Sequence, residues 1–343
     1  MPIMLKDDQW DQERLERLLG RDLPRTDPLW RCALSVLRQN KTMSGATACV
    51  GRLRRVVHDL KAMGVDPIHA SRDDIEDWLA SLGHLSPETS GSLLGAARSL
   101  YEEAIDRDLI VKNPTRKLTV GRYKPQRVPS LPKATADEIL AALEIETSDG
   151  DDPLAAARDR FIFALGLSLG PRSREMLRLS AGDVSVEFDP PTISLFGKGR
   201  QYELKRSPVL AIEAYRTYRA KLEANLGREL RAEDALVIAL DHEARLRMRT
   251  DPSRTLVPMS RAALYRIVRS RLEDAGVSGV KLGPHRLRKT AATLMYKASV
   301  DPDAIRRTLS HEDIKTTFAN YIVPEQDLDD AAGDHVQWGE AQR

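Results

Sequence analysis

Cysteine is scarce: two occur in a chain of 343 residues, Cys32 and Cys49. That excludes a framework of several disulfides, and no Cys-x-x-Cys or Cys/His cluster has the spacing of a metal site. Both thiols are expected to be packed in a reducing compartment. Aromatic residues are few, 5% of the chain, while the apolar share of 41% is ordinary for a globular protein. No run of about 18 apolar residues occurs, so no helical membrane span is expected. The charged start, MPIMLKDDQWDQERLERLL, lacks the apolar core of a secretion signal, which points to the cytoplasm. Internal repeats and low-complexity tracts are also missing. Nor does either sign of charge dominate: the net charge is +2, which by itself says little about partners.

What is present is an uneven distribution of that charge. Between Leu109 and Ala136 the ionisable residues are all basic: Lys112, Arg116, Lys117, Arg122, Lys124, Arg127 and Lys133. Beyond Pro324 the balance reverses, with Glu325, Asp327, Asp329, Asp330, Asp334 and Glu340 against Arg343. A basic middle and an acidic tail suggest a polyanion held centrally. A solvated linker accounts for the charge alone equally well. Pro114, Pro125, Pro129 and Pro132 make the same stretch extended.

The length allows two domains, each with its own core. Residues 1–24 read as a short charged helical extension. Residues 25–118 read as a bundle, with helix starts at Asp27-Pro28, Ser71 and Ser86-Pro87, and apolar residues at helical spacing behind them. Residues 119–134 form the basic, proline-containing linker. Residues 135–325 open with a capping pattern, Thr135 to Glu138, and a helix after Asp152-Pro153. The period then changes. Val184–Val186, Thr192–Leu195 and Tyr202–Leu204 read as short strands, with Gly197-Lys198-Gly199 at a turn. After about Val209 the pattern is helical again to the end, with Asp241 to Leu256 reading as a loop. Residues 326–343 are the acidic tail. The fold class is mainly α with a small β-sheet (α+β).

Four patterns carry chemistry. In Gly283-Pro284-His285-Arg286-Leu287-Arg288 the proline starts a helix and sets His285 and Arg288 on one face of its first turn. Free N–H groups and the helix dipole attract an anion there. Gly170-Pro171-Arg172 precedes Glu175, three residues from Arg172, which can orient the guanidinium or simply pair with it. Lys198 sits at the hairpin tip, where glycines permit close approach of a ligand. Leu309-Ser310-His311 ends a helix begun at Asp301-Pro302, and Tyr321 follows ten residues later. Taken singly, each has an ordinary explanation: a surface ion pair, an edge lysine, a packed tyrosine.

Their succession is specific. G-x-R-x-x-E, a hairpin G-K-G, H-x-x-R, L-S-H and T-T-x-x-x-Y in this order resemble the tyrosine recombinases, the phage integrases and Xer-like site-specific recombinases. The resemblance spans about residues 25 to 325. It implies a helical core-binding domain over 25–118 and a catalytic domain over 135–325. It implies that Arg172 and Arg288 clamp a scissile phosphate and Lys198 protonates the leaving oxygen. His285 accepts or orients a proton, His311 donates to a phosphate oxygen, and Tyr321 is the nucleophile. The interval from His311 to Tyr321 is one residue longer than in Xer-like proteins, and Pro171 is unusual in its place. Lys112, Arg116, Lys117, Arg122, Lys124 and Arg127 become candidates for DNA contact, with Arg261, Arg266, Arg269 and Arg271 on a helix from Ser260 to Ala275. Double-stranded DNA is the implied partner, met by a homo-oligomer, a tetramer on two sites, with accessory DNA-bending proteins possible. The tail is the candidate docking segment between subunits. No metal and no cofactor is implied. Two other readings stay open: a type IB topoisomerase-like enzyme, and a catalytically silent DNA-binding regulator on the same fold.

Overall fold

The computed structural model describes residues 10–40, 42–121, 129–197, 202–242, 245, 251, 253–279 and 281–310. Its contacts divide the chain into two compact units between Gln126 and Arg127.

Among the described residues the first unit holds five α-helices: α1 (Gln12–Leu19), α2 (Trp30–Arg38), α3 (Met43–Ala62), α4 (Arg72–Ser81) and α5 (Pro87–Asp106). The longest two, α3 and α5, each present two apolar faces. One pair of faces, Leu53 and Val57 with Leu100 and Ala104, joins Leu15, Leu19 and Trp30, so α1 shares this core. The other, Val56 and Leu60 with Ala97 and Tyr101, closes on Ile75, Trp78 and Leu82. Each buried leucine stabilises the fold by roughly 1.5–3 kcal/mol relative to exposure. Helix starts follow the cap chemistry. Ser71 accepts from the Asp74 amide while Asp74 accepts from the Ser71 amide, and Ser86 accepts from the Thr89 amide ahead of Pro87. Asp27 behaves differently from expectation. Its carboxylate accepts from the Leu29 amide across a turn, and α2 begins at Trp30. Cys32 and Cys49 are buried free thiols, and burial raises both above the ordinary thiol range.

The second unit contains α6 (Lys133–Asp149), α7 (Pro153–Ser168), α8 (Ser173–Arg178), β1 (Val184–Ser185), β2 (Thr192–Phe196), β3 (Tyr202–Arg206), α9 (Val209–Leu226), α10 (Arg261–Asp274), α11 (Pro284–Lys297) and α12 (Pro302–Leu309). Helix α7 is buried on nearly every face and packs against α6, α9, α10 and α11. Phe161 of α7 stacks on Tyr218 of α9 with ring centroids 5.9 Å apart. At Gly166 a β-carbon would lie 2.8 Å from Leu287, so the absence of a side chain there lets α11 approach. The strands form one antiparallel sheet in the order β1-β2-β3, with Ile193 opposite both Val184 and Lys205. The mainly helical architecture with one small sheet is the expected fold class.

Three local readings are revised. Thr135 lies inside α6 rather than capping it. The helix starts at Lys133 after Pro132, because the Leu131 amide is held by Thr290 Oγ1 at 2.9 Å and fixes the chain's entry. Residues near 235 do not belong to a plain loop-and-helix stretch. The Leu236 amide donates to Leu179 O and the Met259 amide to Val237 O, which sets Ala235 to Ile238 in the core. Arg271, a candidate for DNA contact, instead pairs with Glu146 at 2.8 Å and Asp159 at 2.9 Å, joining α10 to α6 and α7.

Candidate active site

The site is assembled around the C-terminus of α12. Asp301 caps the start of this helix by accepting from the Ala304 amide, and Pro302 follows. Ser310 ends it in a left-handed conformation, φ 54°. A helix C-terminus leaves carbonyls without intrahelical partners and carries partial negative charge. Three cationic side chains from distant segments fill that need. Lys205 Nζ on β3 donates to Arg307 O at 2.7 Å. Arg288 Nη2 on α11 donates to Leu309 O at 2.6 Å. Arg172 Nη2, at the start of α8, donates to Ser310 O at 3.1 Å. His311 is the next residue.

Each cation has a second anchor. Arg288 is buried, and its Nη1 donates to Gly170 O at 2.6 Å. Gly170 is left-handed, φ 59°, and a β-carbon there would come within 2.7 Å of Leu309. Glycine is therefore required on two counts, backbone conformation and close approach. Arg172 follows after Pro171. Its amide donates to Glu175 Oε2 at 2.7 Å and its Nη1 to Glu175 Oε1 at 2.8 Å. The buried carboxylate thus grips both backbone and guanidinium, while the Arg172 side chain stays 40% exposed. A guanidinium offers five N–H groups, and the exposed part of Arg172 carries donors beyond these anchored ones.

His285 occupies the first turn of α11, after Pro284 and a Gly283 cap that provides no side chain. Its ring is exposed. Partial loss of hydration, followed by the charges of Arg288, Lys281, Lys289 and Arg172, holds it below the ordinary histidine range. The direction of this shift favours the uncharged imidazole.

Glu203 and Lys205 were not singled out by sequence. On β3 they alternate with the exposed Tyr202, Leu204 and Arg206. Glu203 accepts from Ser310 Oγ and pairs with Lys205 at 3.0 Å. Burial would raise its carboxyl, but Ser310, Lys205 and Arg172 together hold it below the usual range. A β-carbon at Gly197 would lie 3.7 Å from Glu203 Oε1 and 3.9 Å from Glu175 Oε1, so the residue before Lys198 adjoins this group. The only advance signal was the period-2 placement of two charged residues on the inner face of a strand. A cleft of about 640 Å³ lined by Glu203, Lys205, Arg307 and Ser310 adjoins the network.

Of the residues expected from sequence, the structure brings Arg172, Arg288 and His285 together. Lys198, His311 and Tyr321 lie outside the described residues, as do Arg122, Lys124, Arg127 and the acidic tail. Lys112, Arg116 and Lys117 are exposed in the first unit, beside a turn in which Asn113 accepts from the Thr115 amide. Among the described residues no cluster of His, Cys, Asp and Glu suits a metal ion, and no helix is long and apolar enough to cross a membrane.

Two arginines and a histidine are thus gathered near the end of α12 in a mainly helical unit. Comparison supplies the family. The model of the phage integrase family matches residues 130–327, more than half of the chain, and the protein belongs to that family. Tyrosine recombinase XerC of Shewanella oneidensis is 29% identical over 262 residues, 76% of each chain. Tyrosine recombinase XerD of Xanthomonas axonopodis pv. citri is 28% identical over 274 residues, 80% of this chain and 83% of its own. In fold, the chain is similar to XerH site-specific recombinase bound to difH substrate in a pre-cleavage complex. The TM-score is 0.60 at 20% identity, covering 96% of this chain and 97% of that one. It is also similar to a lambda integrase dimer bound to a COC′ core site, with TM-score 0.64 at 14% identity, covering 91% and 81%.

Proposed function

We propose that the protein is a site-specific recombinase that cuts and rejoins duplex DNA through a 3′-phosphotyrosine link to Tyr321. The observation that carries this reading is the focus of Arg172, Arg288 and Lys205 on the last carbonyls of α12, immediately before His311. The phenol oxygen of Tyr321 attacks the scissile phosphorus, and the bond to the 5′ oxygen breaks. Neutral His285 takes or orients the phenol proton, and Lys198 gives a proton to the leaving oxygen. Arg172, Arg288 and His311 donate to the non-bridging oxygens, where negative charge accumulates. Removing one such donor typically costs about 10²–10³ in rate. A free phenol titrates near about 10, so its proton must leave during attack, and surrounding cations assist. The phosphotyrosine conserves the energy of the broken bond, so rejoining needs no nucleotide cofactor.

The substrate in this reading is double-stranded DNA carrying a specific site, engaged by a homo-tetramer across two sites. Lys112, Arg116, Lys117, Arg122, Lys124 and Arg127 supply backbone contacts independent of sequence. The test is a nicked suicide duplex bearing a site recovered by binding selection. A covalent protein–DNA adduct should form and vanish in Tyr321→Phe. An adduct that persists in this variant, or binding with no adduct, would sink the proposal. Relaxation of any supercoiled DNA without a site would favour a topoisomerase instead.

A further inference from the structure

Arg286 stands between the two residues of the H-x-x-R pattern, and nothing described so far uses its side chain. It is 6% exposed, yet its Nε is buried without a hydrogen-bond partner. Burial acts on its ionisation, lowering it. The other buried arginines are held differently. Arg158 donates to Asp159 through Nε at 2.9 Å and Nη2 at 2.7 Å. Arg288 rests on the two carbonyls of Gly170 and Leu309. A guanidinium cannot escape burial by losing its proton, so an unpaired one is costly to keep.

Among the described residues no carboxylate pairs with Arg286. The carbonyl of Arg286 accepts from Thr290 Oγ1, which in turn holds the Leu131 amide, so this part of α11 adjoins the entry to α6. Arg286 also lies in the first turn of a helix whose cap provides no side-chain acceptor, where positive potential is already high. His285 beside it is held below its ordinary range by lost hydration and then by the charges of Arg288, Lys281, Lys289 and Arg172.

We propose that Arg286 is an anchor for a backbone phosphodiester of the bound duplex, adjacent to the phosphate on which Arg172 and Arg288 act. The inference rests on the DNA substrate proposed above and adds a binding residue to it. The unsatisfied Nε–H is then a donor kept ready for an anion that arrives with the DNA.

The experiment compares the full chain with Arg286→Met and Arg286→Lys. Affinity for a random-sequence duplex is measured over a range of salt, and thermal melting is followed without DNA. Arg286→Met should weaken binding roughly tenfold or more, as expected for a hydrogen bond to a charged group. It should also lower the slope of log affinity against log salt by about 0.9, one phosphate's worth of counterions. Its melting midpoint without DNA should equal or exceed the parent's, because an unpaired buried charge has been removed. Arg286→Lys should keep the parent slope with reduced affinity. Parent-like affinity and slope in Arg286→Met would overturn the anchor while leaving the recombinase reading intact. A large fall in melting midpoint in that variant would overturn it too, by showing an internal structural partner. If inorganic phosphate stabilises the parent but not Arg286→Met, the ligand is free phosphate and the duplex proposal is wrong. A parent without salt-dependent duplex binding would remove the recombinase reading and this inference together.

Discussion

The two units bury different things. In the first, the buried polar residues among those described are Ser90 and Thr115, both neutral. In the second, Arg158, Asp159, Glu175, Asp234, Arg286, Arg288 and Lys289 are all buried. The first unit is held by aliphatic faces of α3 and α5, and its charges lie outside. The second encloses ions, and those other than Arg286 recover lost hydration from fixed partners. Buried ions add little to stability compared with apolar side chains of the same size, but removing one partner is severe. The difference therefore separates a region whose sequence is chosen for packing from one whose sequence is chosen for fixed directions of charge.

The sharpest way to test that contrast is Asp234, which is fully buried. It accepts from Arg228 at 2.6 and 3.1 Å and from the amides of Arg231 and Leu256 at 2.8 Å each. Asp234→Asn leaves Arg228 without its counter-charge and should cost about 3–5 kcal/mol in urea unfolding at neutral pH. Burial alone would raise this carboxyl, yet Arg228 and the two amides hold it below its ordinary 3.8. A folded value below the unfolded one stabilises the protein above pH 3.8, and that contribution is lost as pH falls through the folded value. The gap between parent and variant should therefore narrow in acid. Leu100→Ala, in the first unit, should cost about 2–5 kcal/mol by leaving a cavity. Because no proton is involved, its cost should be the same in acid as at neutral pH. Equal pH dependence for the two variants would erase the proposed distinction.

Sequence revealed Arg172, His285 and Arg288 because each sits in a short motif beside glycine or proline, where local geometry is written in neighbouring residues. It revealed the caps at Ser71, Ser86, Asp152 and Asp301 for the same reason. Lys205 and Glu203 escaped notice because their partners, Arg307 and Ser310, are 102 and 107 residues away. The start of α6 was misplaced for a tertiary reason as well, the Leu131–Thr290 hydrogen bond across 159 residues. Arg271 shows the converse error. Its spacing on α10 is that of a surface cation, and only Asp159 on α7 reveals it as an internal tie.

Glu203 should give a smaller effect than either stability variant, since its side chain is 42% exposed and water screens its charge. As a positioning residue it acts through Ser310 and Lys205. In Glu203→Gln the rate of adduct formation should fall by less than about tenfold, with DNA affinity nearly unchanged. Combining it with Ser310→Ala should cost no more than the larger single change. Fully additive losses would show that the hydroxyl–carboxylate contact transmits nothing.

The smallest expected effect concerns His285, and it bears directly on the chemistry. Lost hydration, then the charges of Arg288, Lys281, Lys289 and Arg172, lower its titration from the ordinary 6.5. The unfolded chain therefore binds this proton more tightly than the folded one, so the contribution to stability is present above pH 6.5 and declines in acid. Following the imidazole C–H resonances of the DNA-free protein should place the midpoint below 6.5. Arg172→Gln should move it back upward, since one of these four charges is gone while the backbone around α11 is untouched. The movement should be modest, because lost hydration is the larger cause and remains in the variant. A midpoint at or above 6.5 would mean that this ring is already protonated at mildly acidic pH. It would then be a phosphate donor like the two arginines, and the phenol proton of Tyr321 would need another acceptor.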